Sequence, residues 1–267
     1  MNDYHVHTDF SDDCQTPMDD MIETAISRGI SQIAITDHYD PDYPDPEFQF
    51  LIDFDKYHAS LEAAEKKYSD RIKVLKGIEV GIQKGGTLQK CRDTVHAYDY
   101  DFVIGSFHCF DGEALDKADY EAVGRENLMP RFYTYMYECL KEYKCYDVLG
   151  HFNVIDRYIP FEIDYSKSMD IIEAILKLII EDGKGLELNT SSFRYGMGLR
   201  TLPAPDILKM YHDLGGEILT MGSDAHKPGD IKHRFSLITS MAQDIGFKYF
   251  AEFKGRKMTM VDIEKVP

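Results

Sequence analysis

No stretch of the chain approaches the roughly 18 consecutive apolar residues that a membrane-spanning helix needs. The longest candidate, IIEAILKLII at 171–180, is broken by a glutamate and a lysine and reads as a buried amphipathic helix. A basic, apolar leader is missing too: the sequence begins Met1, Asn2, Asp3, so no signal peptide is expected. The five cysteines, at 14, 91, 109, 139 and 145, are odd in number and contain no CxxC pair. That pattern argues against a disulfide framework and for reduced thiols in a cytoplasmic protein. Positive charge is short, with 30 Lys and Arg against 47 Asp and Glu and a formal net charge of −17. Such a field repels nucleic acid and anionic membrane, so neither is an expected partner, and a small anion would need local cations to bind. No Gly/Ser or Pro tract separates two halves, which leaves one domain over residues 1–267.

What is present is a globular composition, 43% hydrophobic and 12% aromatic. Apolar, β-rich runs fall around 2–7, 32–36, 73–79, 102–107, 147–150, 185–189 and 217–222. Helical patterns lie between and after them, at 17–28, 54–68, 88–97, 125–143, 169–182, 204–214 and about 231–244. Repeated strand–helix alternation predicts a mostly parallel sheet, open or closed into a barrel. Two of the connections are long. The run YDPDYPDPEFQFLID after His38 carries three prolines and several acids, and 108–124 is of similar length. Long loops at one end of a compact repeat point to that end as the functional one.

Following each strand one step past its last apolar residue brings out a second pattern. The first ends in His5 and His7, the second in Asp37 and His38, the third in Glu79, and the fourth in His108. The fifth ends in His151, the sixth in Asn189, and the seventh runs into Asp224 and His226. In parallel α/β folds the carboxyl ends of all strands share one end of the sheet, where active sites lie. Alternation along the first strand turns both of its imidazoles inward and Val6 toward the helices. One histidine at a strand end ordinarily reads as a hydrogen-bonded core residue. A ligand-type residue after nearly every strand, in chain order, reads as a site for several divalent metals. Cys14 and Cys109 adjoin ligand-type residues but have no second cysteine at ligand spacing, so they read as bystanders.

These residues resemble the polymerase and histidinol phosphatase (PHP) family, in particular its histidinol-phosphate phosphatase branch. The segments that carry the resemblance are HVHTDFSDD, AITDH, GIEVG, VIGSFH, LGHFNVIDRY, LELNTSSFR and LGGEILTMGSDAH, spread over nearly the whole chain. The resemblance implies a distorted (β/α)7 barrel, α/β in class, with the active site at the carboxyl ends of the strands. It implies two to three divalent metal ions, with Zn, Mn or Fe suited to mixed His and carboxylate ligands. By position the first metal falls to His5, His7, Glu79 and Asp224, the second to Glu79, His108 and His151, and the third to Asp13, His38 and His226. Family members often carry His where Asp13 stands, and Asp12 is adjacent, so the third ligand set is open between the two. The activity implied is a histidinol-phosphatase of histidine biosynthesis, with Glu79, Asp224 and His226 in catalysis.

The chemistry fits these residue types. Phosphate monoesters hydrolyse among the slowest of substrates in water, and paired metals can lower the pKa of water and stabilise both oxygens of an in-line displacement. Arg157 and Arg194 follow the fifth and sixth strands and present forks that match phosphate oxygens, so both are candidate substrate-binding residues. The small phosphate ester is the expected partner, and another ester, a nucleotide or sugar phosphate, stays open. The amidohydrolase superfamily shares the HxH start but bridges its metals with a modified lysine after the fourth strand, where this chain has His108. A non-catalytic metal-binding PHP module is the remaining alternative, and phosphate release by the purified protein separates it from an enzyme.

Overall fold

A computed structural model describes residues 1–160, 162–198 and 200–265. Seven strands run parallel in chain order: β1 (Asn2–Val6), β2 (Gln32–Ile35), β3 (Lys73–Gly81), β4 (Phe102–Ser106), β5 (Val148–Leu149), β6 (Gly185–Asn189) and β7 (Leu219–Gly222). Each pairs with its neighbours in sequence. The circle is closed just beyond β7, where Val6 bridges Ala225 and the His7 N–H donates to the Ala225 carbonyl at 2.9 Å. The result is a nearly closed seven-stranded barrel, with the expected helices on its outside.

Sequence periodicity explains the layers. The helix Met169–Glu181 buries the stripe Ile172, Ile175, Leu176 and Ile179 against the sheet. On β3, β4 and β6 the alternate residues Leu75–Gly77–Glu79, Phe102–Ile104–Ser106 and Glu187–Asn189 share one parity. Leu75, Phe102 and Ile104 join Tyr4, Ala34 and Val148 in an inner apolar cluster, while Leu186 and Leu188, of the opposite parity, join the outer core. The barrel therefore has an apolar floor and a polar mouth. A register shift between Asp3 and Val6 lets both Tyr4 and His5 serve the interior.

Three departures from the sequence pattern have local causes. β3 runs two residues past Glu79, to Gly81, and that glycine is needed: a Cβ there would lie 1.3 Å from Asp40 Oδ1. The last helix is Phe235–Ile245 and starts later than 231, because Lys232 and Arg234 have φ of +60° and +58° and break the helical path. The Lys232 N–H instead donates to the buried Asp3 carboxylate. Beyond that helix comes a hairpin that the strand–helix pattern does not contain, β8 (Tyr249–Lys254) and β9 (Lys257–Asp262). Its two-residue turn has φ of +54° at Gly255 and +61° at Arg256, the twist that tight hairpins favour.

That hairpin plugs the amino-terminal end of the barrel. Ala251 and Phe253 enter the inner apolar cluster, and the Phe253 N–H donates to the Tyr4 hydroxyl. The turn docks on two buried acids: the Gly255 N–H donates to Asp101 at 2.8 Å, and the Arg256 guanidinium donates to Asp147. Removing that donor leaves the buried Asp147 carboxylate with the Val103 N–H. Arg256→Met keeps the aliphatic stem, and is expected to lower unfolding free energy in urea by about 1.5–3 kcal/mol, the worth of a hydrogen bond to a charged group. Metal content should not change, and an unaltered denaturation midpoint would show that the contact contributes nothing. Among the described residues, no helix is long and apolar enough to cross a membrane.

Candidate metal centre

At the mouth of the barrel the strand-end residues meet. Glu79, at the centre, is buried and lies within 3.6 Å of five imidazoles. Its Oε2 stands 3.2 Å from His5 Nε2, 3.6 Å from His7 Nε2 and 2.9 Å from His38 Nδ1. Its Oε1 stands 3.0 Å from His151 Nε2 and 3.4 Å from His108 Nε2, and accepts from the Ser106 hydroxyl. Asp224 Oδ1 is 3.4 Å from His7 Nε2, 3.6 Å from His226 Nδ1 and 3.9 Å from His5 Nε2. Asp13 Oδ2 is 3.1 Å from His226 Nε2 and 3.7 Å from His38 Nε2. All nine residues picked out as ligands thus converge from the carboxyl ends of six of the seven barrel strands and the loops that follow them. Asp12 is turned away: its carboxylate accepts the N–H groups of Gln49 and Phe50 and ties down the long second loop.

Two carboxylates that the sequence pattern leaves out complete the surroundings. Asp40 accepts from His108 Nδ1 at 3.0 Å and lies 3.6 Å from His38 Nδ1, so with those two histidines it forms a further group of ligand type. Glu187, inward on β6, accepts from His5 Nδ1 at 2.6 Å. Asp40 lies two residues past His38 in DHYD, and Glu187 alternates with Asn189 in ELN, so each had a positional signal. Such outer carboxylates fix the tautomer and aim of a metal-binding imidazole.

The inner faces of these rings need a cation. Nε2 of His5, His7 and His226, Nδ1 of His38 and Oε2 of Glu79 are buried and make no aligned hydrogen bond among the described residues, although His38 Nδ1 and Glu79 Oε2 are 2.9 Å apart. Orphaned buried polar atoms each cost about 1–3 kcal/mol, and native proteins avoid them. Here they crowd together, with four overlapping groups of three residues each able to hold an ion. His108 Nε2 and His151 Nε2 even face each other at 3.4 Å, where at most one can carry a proton. The donor set fits divalent metal.

The charge pattern fits as well. Burial works against the His5 cation, but Glu187, Glu79 and Asp224 together hold its pKa well above the ordinary value. His108 is raised likewise against burial, by Asp40 and Glu79. His7 is held well below, by burial and then by His38 and His226. Glu79 overcomes its burial through His5, His38 and His108 and stays ionised well below the usual carboxylate range.

His38 yields a stability prediction. Burial disfavours its cation, but Glu79 and Asp13 raise its pKa to about 9 in the metal-free chain. An unfolded histidine titrates near 6.5. A raised pKa means the folded state binds the proton more tightly, so this stabilisation is fully present below about 6.5 and is lost as pH rises through about 9. Chelated protein should therefore show a falling Tm across that window, and metal-supplied protein a smaller fall, since the metal replaces the proton. A chelated Tm that rises over the window would contradict this.

A cavity opens onto the cluster, with Asp13, His38, His108, His151, Asp224 and His226 on its floor. Arg157 is in its wall, donating from Nη2 to Ser191 Oγ at 2.6 Å, lying 3.6 Å from Asp224 Oδ2, and stacked 3.9 Å from the Tyr195 ring centroid. Arg194 stands behind the wall instead, donating to the Asp224 carbonyl at 2.7 Å and lying 3.5 Å from Asp230. Asp224 has a left-handed φ of +54°, so that bond holds a backbone that ordinary residues rarely adopt. Cys14 donates to the His226 carbonyl and Cys109 is buried in the short strand Cys109–Phe110; neither enters a ligand group.

Comparison with known proteins agrees with this geometry. The PHP domain family model matches residues 3–191. A protein of Clostridium acetobutylicum named "Probable histidinol-phosphatase" is 30% identical over 251 residues, covering 92% of this chain and 94% of its own. The "Histidinol-phosphatase" of Lactococcus lactis subsp. lactis is 25% identical, covering 96% and 95%. Among solved structures, histidinol phosphate phosphatase from Lactococcus lactis, complexed with Zn, L-histidinol and phosphate, superposes with a TM-score of 0.87 at 24% identity, over 97% of this chain and 98% of that one.

Proposed function

The chain belongs to the PHP domain family, and from that premise we propose that it is a metal-dependent phosphomonoesterase that hydrolyses L-histidinol phosphate to L-histidinol and phosphate. The observation that carries this reading is one cavity with a His/carboxylate cluster on its floor and a largely covered arginine in its wall. Relatives named for the same reaction over nearly their whole length support it. In this reading residues 1–267 are one catalytic domain. The ligands Asp224 and His226 lie beyond the segment matched by the family model, and barrel closure between Val6 and Ala225 brings them to β1.

Two to three divalent ions are assigned to the cluster, from Zn, Mn or Fe. His5, His7, Glu79 and Asp224 would hold the first, Glu79, His108 and His151 the second, and Asp13, His38 and His226 the third. Bound there, divalent ions supply Lewis-acid polarisation of the phosphoryl oxygens and a lowered water pKa. The chain's own residues do the rest. Arg157 binds two phosphate oxygens through its fork, and the Tyr195 ring keeps that fork in plane. Asp224 Oδ2, beside Arg157, receives the proton of the attacking water. His226 Nε2, 3.1 Å from Asp13, would share the third ion with it, and Arg194 positions Asp224 through its carbonyl. The outer cavity offers the aromatic rings of Tyr43, Phe50 and Tyr158 and the Asp116 carboxylate, surroundings that suit a cationic leaving group such as histidinol.

Steady-state phosphate release from L-histidinol phosphate, a sugar phosphate and a nucleoside monophosphate, under fixed metal loading, tests the substrate. L-histidinol phosphate should lead in kcat/KM by at least about tenfold, the worth of one good charge-assisted contact. A sugar or nucleotide ester hydrolysed equally well would overturn the substrate assignment, and no release from any ester would overturn the enzyme.

A further inference from the structure

β6 contributes none of the nine candidate ligands, yet its carboxyl end is polar and fully buried: Glu187, Asn189 and Ser191 are 1%, 0% and 0% exposed. Alternation along β6 turns Glu187 and Asn189 to its inner side, and Ser191 follows them at the start of the helical turn Ser191–Arg194. We propose that Glu187, Asn189 and Ser191 are positioning residues, a hydrogen-bonded chain that fixes Arg157 relative to the imidazoles of His5 and His151. The inference rests on the reading that those imidazoles bind metal and that Arg157 binds phosphate.

The side-chain links from Arg157 to Glu187 all run the same way. Arg157 Nη2 donates to Ser191 Oγ at 2.6 Å, and Ser191 Oγ donates to Asn189 Oδ1 at 2.6 Å. The Ser191 N–H donates to the same oxygen at 2.8 Å. Asn189 Nδ2 then donates to Glu187 Oε2 at 3.0 Å. Glu187 closes the chain as an acceptor on its other side, taking His5 Nδ1–H at 2.6 Å on Oε1 and the His151 N–H at 2.9 Å on Oε2. The three side-chain hydrogen bonds from Arg157 to Glu187, their direction set by a cation at one end and a carboxylate at the other, polarise one another.

The geometry around the chain is built for it. His151 has φ +24°, a strained backbone for a non-glycine residue, and its N–H is held by Glu187. Across from Glu187 stands Gly222, where a Cβ would lie 1.9 Å from Oε1, so β7 is cut back to admit the carboxylate. The Asn189 N–H is tied to the Leu202 carbonyl at 2.8 Å, which pins the end of β6. A phosphate must meet both the metals and the arginine fork, and misplacement by about 1 Å can cost a hundredfold in rate. Glu187 grips ligands from two different metal sets, so one element registers both against Arg157.

The test is a double-mutant cycle with a separate metal readout. Ser191→Ala should lower kcat/KM for L-histidinol phosphate about tenfold in the wild-type background and leave it nearly unchanged when Arg157 is already alanine. Glu187→Gln keeps the shape of the side chain but weakens the grip on His5 and His151, and it should lower Zn(II) affinity of the chelated, refilled protein by about 10–100-fold. Equal factors for Ser191→Ala in both backgrounds, or no effect at all, would overturn the chain while leaving the phosphate role of Arg157 intact. Unchanged Zn(II) affinity in Glu187→Gln would overturn the link to the metal ligands even if Ser191→Ala failed to fold. An Arg157→Ala variant with full kcat/KM would overturn the phosphate reading, and the chain with it.

Discussion

Glu79→Gln should lose more than about a hundredfold in kcat/KM and most of its bound metal. Residues that merely orient a ligand cost about 10–100-fold when removed, and Glu79 has a larger share of the site than any of them. Its two oxygens stand 2.9–3.6 Å from five imidazoles, Oε2 facing His5, His7 and His38 and Oε1 facing His108 and His151. The amide of Gln is nearly the same size, so packing survives. What goes is the negative charge that joins two ligand sets and holds His5, His38 and His108 against the cost of their burial. An amide nitrogen turned toward these rings would also repel any cation they bind. Elemental analysis and kcat, read beside circular dichroism to confirm the fold, check the result. Wild-type metal content and rate in Glu79→Gln would refute the shared-carboxylate role.

Arg157→Ala should lower kcat/KM for the phosphate ester by about one to two orders of magnitude, as a hydrogen bond to a charged group contributes about 1.5–3 kcal/mol and tenfold in rate is about 1.4 kcal/mol. The overall charge of −17 makes a dedicated cation in the cavity wall more necessary, and the carboxylates on the floor offset part of the metal charge. Metal content should be unchanged, because Arg157 touches the cluster only at Asp224 Oδ2, 3.6 Å away. Arg157→Lys should recover only part of the loss: an ammonium has no planar fork and does not stack on Tyr195 as a guanidinium does. Full kcat/KM in Arg157→Ala, with loss in Arg194→Ala instead, would move the phosphate contact to Arg194. The structure gives Arg194 a different partner, the Asp224 carbonyl.

Much of this was legible in the sequence because the barrel repeats one simple unit. Strands such as QIAI and FVIGS announce themselves by apolar runs, and a parallel fold sends every strand end to one place. His5, His38, Glu79, His108, His151 and Asp224 could therefore be grouped without coordinates. The choice between Asp12 and Asp13 could not: adjacent residues differ in which way the turn aims them, and Asp12 is claimed by the N–H groups of Gln49 and Phe50. Asp40 and Glu187 stayed hidden for a related reason. Each acts through a histidine that belongs to another strand, and such pairings, His108 with Asp40 and His5 with Glu187, exist only in three dimensions. Arg194 follows its strand as Arg157 does, so spacing made both of them candidates, and the contact of Arg194 with the Asp224 carbonyl separates support from wall. The hairpin at 249–262 obeys a period-two pattern outside the strand–helix repeat, and its docking on Asp101 and Asp147 is again a long-range contact.

The barrel-mouth cluster should bind divalent metal, and hydrolysis of L-histidinol phosphate should depend on it. The most direct measurement is elemental analysis of protein purified without chelator, followed by phosphate release before chelation, after chelation and after returning Zn, Mn or Fe. Two to three metals per chain are expected, with loss of activity on their removal and recovery on their return. Full activity in protein with a metal stoichiometry near zero would contradict it.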